Sequence, residues 1–342
     1  MEAFTVGYST PCEEDEISAA RQTAETLRLD HHVIRIGPAD FLRLLPVAIA
    51  AVEEPLATTS IVPMFSLASL VSHHVKVVLS GQGTDEALGA YRRYQAELLH
   101  DHLPSAAISL LTFGASLLGR TSVSAERLIS SIRESDDVIR FEKVYSVFSN
   151  DQIERLIGCN ENHATDRIRY FYELLNCATL GQSMERMLSI DLRMNLSDDL
   201  LLYTDKLTMR HSIECRVPFL DLNLVRFVES LPPNYRASLF KLKSIQKSYA
   251  AAVLPRFVRR RKKKGFVSPT VAWFRSVKAI RDLLLDRTSP FGSLFDINEV
   301  EKILDEHDKG RNRERQSFLL LSIYHWTTEC AKSTRITKAF AT

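Results

Sequence analysis

Ser80-Gly81-Gln82-Gly83-Thr84-Asp85-Glu86 gathers two glycines, two hydroxyls and two carboxylates into one short run. Gly81 and Gly83 can take backbone angles closed to other residues and let main-chain N–H groups approach a ligand. Asp85 is a hard oxygen donor of the kind that holds Mg²⁺ against phosphates. Thr84, Asp85 and Glu86 can also cap the start of a helix. Ahead of them, Val75 to Ser80 reads as a short strand buried on both faces. A loop at the carboxyl end of a parallel strand, beside a helix N-terminus, is where open α/β sheets take nucleotides. The alternative is a plain strand-to-helix turn in which Asp85 only caps, because a lone SGxGxD is a short motif.

The elements that must hold this loop can be read around it. Phe4 to Tyr8 is expected to be a strand, and Glu13 to Leu29 spaces Ile17, Ala20, Ala24 and Leu27 at helical intervals. Val33 to Ile36 is the next strand. Phe41 to Val52 and Pro63 to Val71 read as helices around the turn Glu53-Glu54-Pro55, where proline forbids a smooth continuation. After Tyr91-Arg92-Arg93-Tyr94 no strand is expected, only amphipathic helices broken at Pro104, Gly119, Gly158, Gly181, Pro218 and Pro232. The division is therefore an α/β part over 1–102 and a mainly helical part over 103–342, sharing one core.

Composition excludes several classes. With 342 residues, 45% hydrophobic and 25% charged, the chain can bury a sizeable core and is no disordered tail. Cys12, Cys159, Cys177, Cys215 and Cys330 form no CxxC pair, and such an odd, scattered set suits a reducing cytoplasmic compartment better than a disulfide framework. The longest apolar run, Ile108 to Leu118, falls well short of the ~20 residues a membrane span needs. Acidic residues at Glu2, Glu13, Glu14 and Asp15 stand where a signal peptide would be basic and then apolar.

The second half carries blocks that change the weight of the glycine loop. In register stand Asp199, Asp205, Lys206, Met209, Ser212, Glu214, Arg216, Val217, Pro218, Phe219, Leu220 and Asp221. Lys243 lies twelve positions before Pro255, and Lys263-Lys264-Gly265-Phe266 runs on to Pro269. These blocks, with Ser80 to Glu86, resemble the synthetase domain of glutamine-dependent asparagine synthetases, whose members read close to SGxGxDE, DxxLxxxDRxSMAxSxExRVPFLD and RxKKGFxxP. The likeness is strong over roughly 3–100 and 185–275.

That resemblance implies a parallel sheet of the adenine-nucleotide alpha-hydrolase-like (PP-loop ATPase) kind followed by a mainly helical part. It implies ATP and Mg²⁺ as cofactors, and two steps: a carboxylate, usually that of aspartate, becomes an acyl-adenylate, and ammonia or an amine then displaces AMP. Val6 and the Ser80-Gly81 backbone would contact adenine and ribose, with Gly83 in the same nucleotide loop. Asp85 would ligate Mg²⁺, and Lys243 would sit on the α-phosphate, where a fixed cation stabilises developing charge. Lys243 alone would read as a solvated helix lysine. Glu86, Arg216, Asp221, Lys263 and Lys264 join as substrate-binding or structural groups. Arg216 and Asp221 flank Pro218 on what the pattern suggests is a buried loop, with a core ion pair as the alternative.

Two departures stand out. Asparagine synthetases proper carry Glu where this chain has Gln82, and an amide cannot accept a proton at neutral pH. The true acceptor therefore stays open. The family's SGGxDS loop also has no counterpart, since no two glycines are adjacent. The opening residues Ala3 to Tyr8 resemble the family's second strand, and position 2 is Glu rather than the glutaminase cysteine. The expectation is a synthetase domain without its glutaminase partner and first βα unit. Removing an interior strand would leave two unpaired edges. Either another chain supplies that strand, the native start lies elsewhere, or the region near 3–8 folds differently.

Arg256 to Lys264 places seven Lys or Arg in nine positions against a net charge of +2. It reads as a solvated loop, as a nucleic-acid or membrane patch, or, preferred on the resemblance, as a cluster that attracts ATP or screens pyrophosphate. Three functions stand: the amide ligase, an inactive relative serving as a binding subunit, and a basic-patch nucleic-acid binder.

Overall fold

The computed structural model describes residues 1–340 apart from positions 11, 13–14, 105, 111–128, 130, 160–162, 262–263, 267 and 277. The α/β beginning expected from the sequence is present. Strand β1 (Glu2–Tyr8) leads through helix α1 (Ile17–Leu27) to β2 (Asp30–Ile36), and the two strands pair in parallel from Glu2↔Asp30 to Tyr8↔Ile36. Helix α2 (Pro38–Val52) starts on a proline whose fixed φ suits a first turn, and the Asp40 carboxylate accepts from the Gly37 N–H at 3.2 Å. Glu53 ends it in the left-handed region at φ 66°. Helix α3 (Ile61–Ser72) then crosses the sheet, and β3 (Val77–Leu79), the short helix α4 (Thr84–Ala87) and α5 (Arg92–His102) follow.

Two expectations fail. A fourth strand, β4 (Glu214–Arg216), lies in the half read as helical and pairs in parallel with β3. Three residues carry no usable alternation. Buried Ile213 anchors them, and the ladder extends through Glu214 N to Lys76 O (2.9 Å) and Ser80 N to Arg216 O (2.8 Å). Nor is β3 buried on both faces, for Val77 is 43% and Leu79 is 69% exposed. The cause is the sheet itself. Among the described residues β1 pairs only with β2 and β3 only with β4, and a groove of ≈ 860 Å³ lies between the two pairs, lined by Phe4, Leu67, Val71, Val77, Leu79 and Cys215 among others.

One apolar core joins the early strands to the end of the chain. Val6, Tyr8, Phe41 and Leu45 pack with Leu207, Trp273, Phe318 and Leu321. The Trp273 ring meets Tyr8 at 5.9 Å and Phe41 at 5.5 Å, both edge-on. A second cluster gathers Tyr94, Met184, Met187 and Ile190 behind α5. Among the described residues no helix is long and apolar enough to cross a membrane.

Candidate functional site

The glycine loop leaves β3 at Ser80. Gly83 has φ +80°, and a Cβ there would stand 2.3 Å from Leu220 Cδ2, so the position is closed to other residues on both grounds. A Cβ at Gly81 would meet nothing within 4 Å. The loop's own polar groups fix its shape: the Gln82 N–H donates to Ser80 Oγ at 3.3 Å, and the Thr84 hydroxyl donates to the Gly81 carbonyl. Gly81 is thus open where Gly83 is cramped, which leaves the backbone of the first glycine accessible to a ligand.

Asp85, in the first turn of α4, forms an ion pair with Lys243. Lys243 precedes the helix Ser244–Val253 in the left-handed conformation, φ 55°, and its carbonyl accepts from the Lys247 N–H at 2.9 Å. A non-glycine residue at positive φ is uncommon. Here it turns the side chain from its own helix start back to the loop.

Gln82 reaches away from solvent. Its Nε2 donates to Thr204 Oγ1 at 2.7 Å, while its Oε1 is buried without a hydrogen-bond partner among the described residues. An orphaned carbonyl of this sort is costly unless a ligand or water meets it. Glu86, 1% exposed, accepts from the Tyr91 hydroxyl at 2.6 Å, and burial lifts its carboxyl above the ordinary range. Next to it Asp191 accepts from Arg93 Nε (2.8 Å), Tyr94 OH (2.6 Å) and Tyr145 OH. The Arg93 guanidinium lies 3.9 Å from the Tyr91 ring centroid. Asp191 begins a π-helical stretch, Asp191–Leu201, and such wide turns recur at functional sites. The same stretch holds Asp199, whose carboxyl burial pushes up to about 6 against the pull of Arg315.

The remaining predicted residues divide. Ser80, Gly81, Gln82, Gly83, Asp85, Glu86 and Lys243 come together. Val6 stands apart on β1, 8% exposed and packed into the core. The loop around Pro218 is exposed, not buried, and it holds no Arg216–Asp221 pair. Arg216 pairs instead with Glu214 at 2.8 Å because they share one short strand, and Asp221 caps the helix Leu222–Ser230 by accepting from Asn223 N and Leu224 N. Lys264 donates to the Asp15 carbonyl at 3.1 Å, and Arg261 of the basic run holds Thr23 Oγ1 at 2.7 Å on α1. Asp15 also pairs with Arg35 at 3.2 Å, so cations collect at the carboxyl end of β1. Lys263 lies outside the described residues.

Thr204 and Asp191 were missed by sequence reasoning. Both sit in helical stretches whose partners are remote in the chain, and a hydroxyl or carboxylate on such a face gives no local signal. Asp85 could hold Mg²⁺ through a hard carboxylate oxygen, and the open backbone at Gly81 leaves room for a nucleotide beside it.

The asparagine synthase family pattern matches residues 1–328. Asparagine synthetase [glutamine-hydrolyzing] 1 of Bacillus subtilis is 26% identical over 336 residues, covering 95% of this chain and 52% of that protein. A putative asparagine synthetase [glutamine-hydrolyzing] of Mycobacterium bovis is 29% identical over 340 residues, covering 94% of this chain and 50% of its own length. Amidase chyE of Penicillium rubens is 25% identical over 304 residues, with 80% of this chain and 44% of that protein covered. The chain spans about half the length of the curated asparagine synthetases it matches.

Proposed function

The chain belongs to the asparagine synthase family, and from that premise we propose that it works as the synthetase part of an ATP-dependent, AMP-forming amide ligase. A carboxylate is adenylated, and ammonia or another amine then takes the acyl group. The observation that carries the reading is the Asp85–Lys243 ion pair beside the open backbone of Gly81. It unites the two charged groups that phosphate chemistry needs. ATP supplies the leaving group that activates the carboxylate. With nucleotide bound, Asp85 would hold Mg²⁺ and Lys243 would stabilise charge on the α-phosphate, each in place of its present partner. The Ser80-Gly81 backbone would face adenine and ribose in a sheet of the PP-loop type, with Val6 reaching the nucleotide only through its backbone because its side chain is packed into the core. Arg261 and Lys264, with Lys263 beside them in sequence, would draw in the triphosphate.

Gln82 narrows the second step. Its amide takes no proton, so the base that deprotonates the amine is another group, yet the orphaned Oε1 can accept a hydrogen bond from an N–H of the incoming nucleophile. Aspartate or a relative is the carboxylate. A strand entering the groove between β1 and β3, ending in an SGGxDS loop and supplied by the same polypeptide or another, would complete both the sheet and the phosphate cradle.

ATP–pyrophosphate exchange tests the reading, run with that segment present across a panel of carboxylic amino acids. Carboxylate-dependent exchange with AMP release supports it. No exchange with any carboxylate, in a folded protein saturated with ATP·Mg²⁺, overturns it and leaves a binding subunit, the reading that Gln82 in place of a carboxylate favours.

A further inference from the structure

Far from the glycine loop, at the amino ends of β1 and β2, three side chains converge on one point. The register sets Phe4 beside His32, so Glu2, Phe4 and His32 share the face of the sheet that α3 covers. His74 arrives from the other side, two residues beyond the end of α3. His32 Nε2 lies 3.2 Å and His74 Nδ1 3.4 Å from the same oxygen, Glu2 Oε2, and the three ligand atoms all fall within 4.8 Å of one another.

We propose that Glu2, His32 and His74 form a binding site for a divalent transition metal of the zinc type, with a fourth position open to water. Metal–ligand bonds of about 2.0–2.2 Å at tetrahedral angles separate neighbouring ligand atoms by roughly 3.4 Å, and the two imidazole nitrogens stand 3.2 and 3.4 Å from Glu2 Oε2. Two imidazoles and one carboxylate select Zn²⁺, Ni²⁺ or Cu²⁺ over Mg²⁺ and Ca²⁺, which demand oxygen. The ring contacts agree. The His32 and His74 centroids are 3.9 Å apart with planes tilted 41°, so the rings lean together and aim two nitrogens at one oxygen. Phe4 stacks on His32 at 5.2 Å and fixes that ring from behind, a packing role like that of the outer groups that orient metal ligands. The side chains are 29–33% exposed, which leaves a path for the ion and room for water.

The site differs from the proposed nucleotide site in place and chemistry. It lies at the amino end of β1, about 20 Å along that strand from its carboxyl end. Its three ligands come from β1, β2 and the segment after α3, so a bound ion would tie that segment to both strands beside the far mouth of the groove. Metal should therefore raise the melting temperature whether or not the protein is catalytically active.

The test is calorimetry of chelator-treated protein with Zn²⁺, and with Mg²⁺ as the contrasting ion. The expected result is one equivalent of Zn²⁺ bound at micromolar Kd or tighter, a rise in melting temperature on saturation, and no displacement of that Zn²⁺ by Mg²⁺ in excess. His74→Asn and Glu2→Gln, which keep shape, should each weaken Zn²⁺ by about 100-fold or more, since even outer-shell losses cost 10–100-fold. Circular dichroism checks that both variants fold. Co²⁺ in place of Zn²⁺ separates this site from the free cysteines: d–d bands without thiolate charge transfer support it. Zn²⁺ binding undiminished in both variants, thiolate bands with Co²⁺, or no binding at 100-fold excess would each overturn the proposal.

Discussion

Lys243 and Asp85, drawn from opposite halves of the chain, meet as an ion pair whose side chains are 20% and 25% exposed. Neither position says so alone. The contact exists because β4 lays the second half of the chain against β3 and because Lys243 takes a positive φ at its helix start.

If Lys243 acts on developing charge rather than on ground-state binding, Lys243→Ala should lower the rate of ATP–pyrophosphate exchange by about 10²–10³ with little change in KM for ATP. Asp85→Asn should instead raise the Mg²⁺ concentration needed for half-maximal rate. A Lys243→Ala effect confined to KM would assign that residue to holding ATP only.

The two glycines should behave oppositely. Gly83→Ala forces a methyl into Leu220 at positive φ and should cost about 1–3 kcal/mol in urea unfolding. Adding Leu220→Ala should recover part of that loss through coupling of the two sites. Gly81→Ala has room and should leave stability nearly unchanged, so any loss of ATP affinity it causes reports close approach of the nucleoside to this backbone.

How far the sequence could be read follows from the range of the forces involved. Helices α1 to α3 and strands β1 and β2 announce themselves through periodicity and through punctuation such as Pro38 and Glu53-Glu54-Pro55, because propensity and patterning act over a few residues. The spacing of Lys243 to Pro255 was readable only through its resemblance to a family. What stayed hidden is long-range: the pairing of β4 with β3, the bond from Gln82 to Thr204, and the clasp of Arg93, Tyr94 and Tyr145 on Asp191. The exposure of Val77 and Leu79 was misread for the same reason. A Val-rich run predicts burial, and whether a neighbour covers it is decided by chain elsewhere.

His325, in the C-terminal helix Glu314–Phe340, gives a pH signature unrelated to catalysis. Burial drives its imidazole down to about 4, with Lys332 adding to the effect and Glu329 opposing it. A base depressed in the folded state binds its proton less readily there than in the unfolded chain. The stability it contributes is thus whole above the unfolded value near 6.5 and drains away as pH falls toward 4. Urea unfolding across that window should show a slope toward lower stability in acid. His325→Phe should remove this contribution, on the order of 1–2 kcal/mol after screening by solvent at the partly exposed ring. An unchanged slope would place the acid sensitivity in other groups.

The groove between β1 and β3 makes the last prediction. Val77 and Leu79 are exposed along it, and each bordering strand has a partner on one side only among the described residues. Unpaired strand edges are templates for another chain. The 342-residue polypeptide should therefore self-associate through this face, visible as a concentration-dependent rise in light scattering. A peptide bearing an apolar strand that ends in an SGGxDS loop should suppress that association and raise the melting temperature by several degrees. Its backbone would gain hydrogen bonds on both sides, while Phe4, Leu67 and Val71 would lose contact with water. Substituting Val77→Lys should block both effects, because a charge on this edge opposes pairing, as lysines do on natural edge strands. Should the chain prove monomeric at high concentration and melt at the same temperature with and without the peptide, the groove is not a strand acceptor. The completion of the phosphate cradle by such a segment would then fall with it.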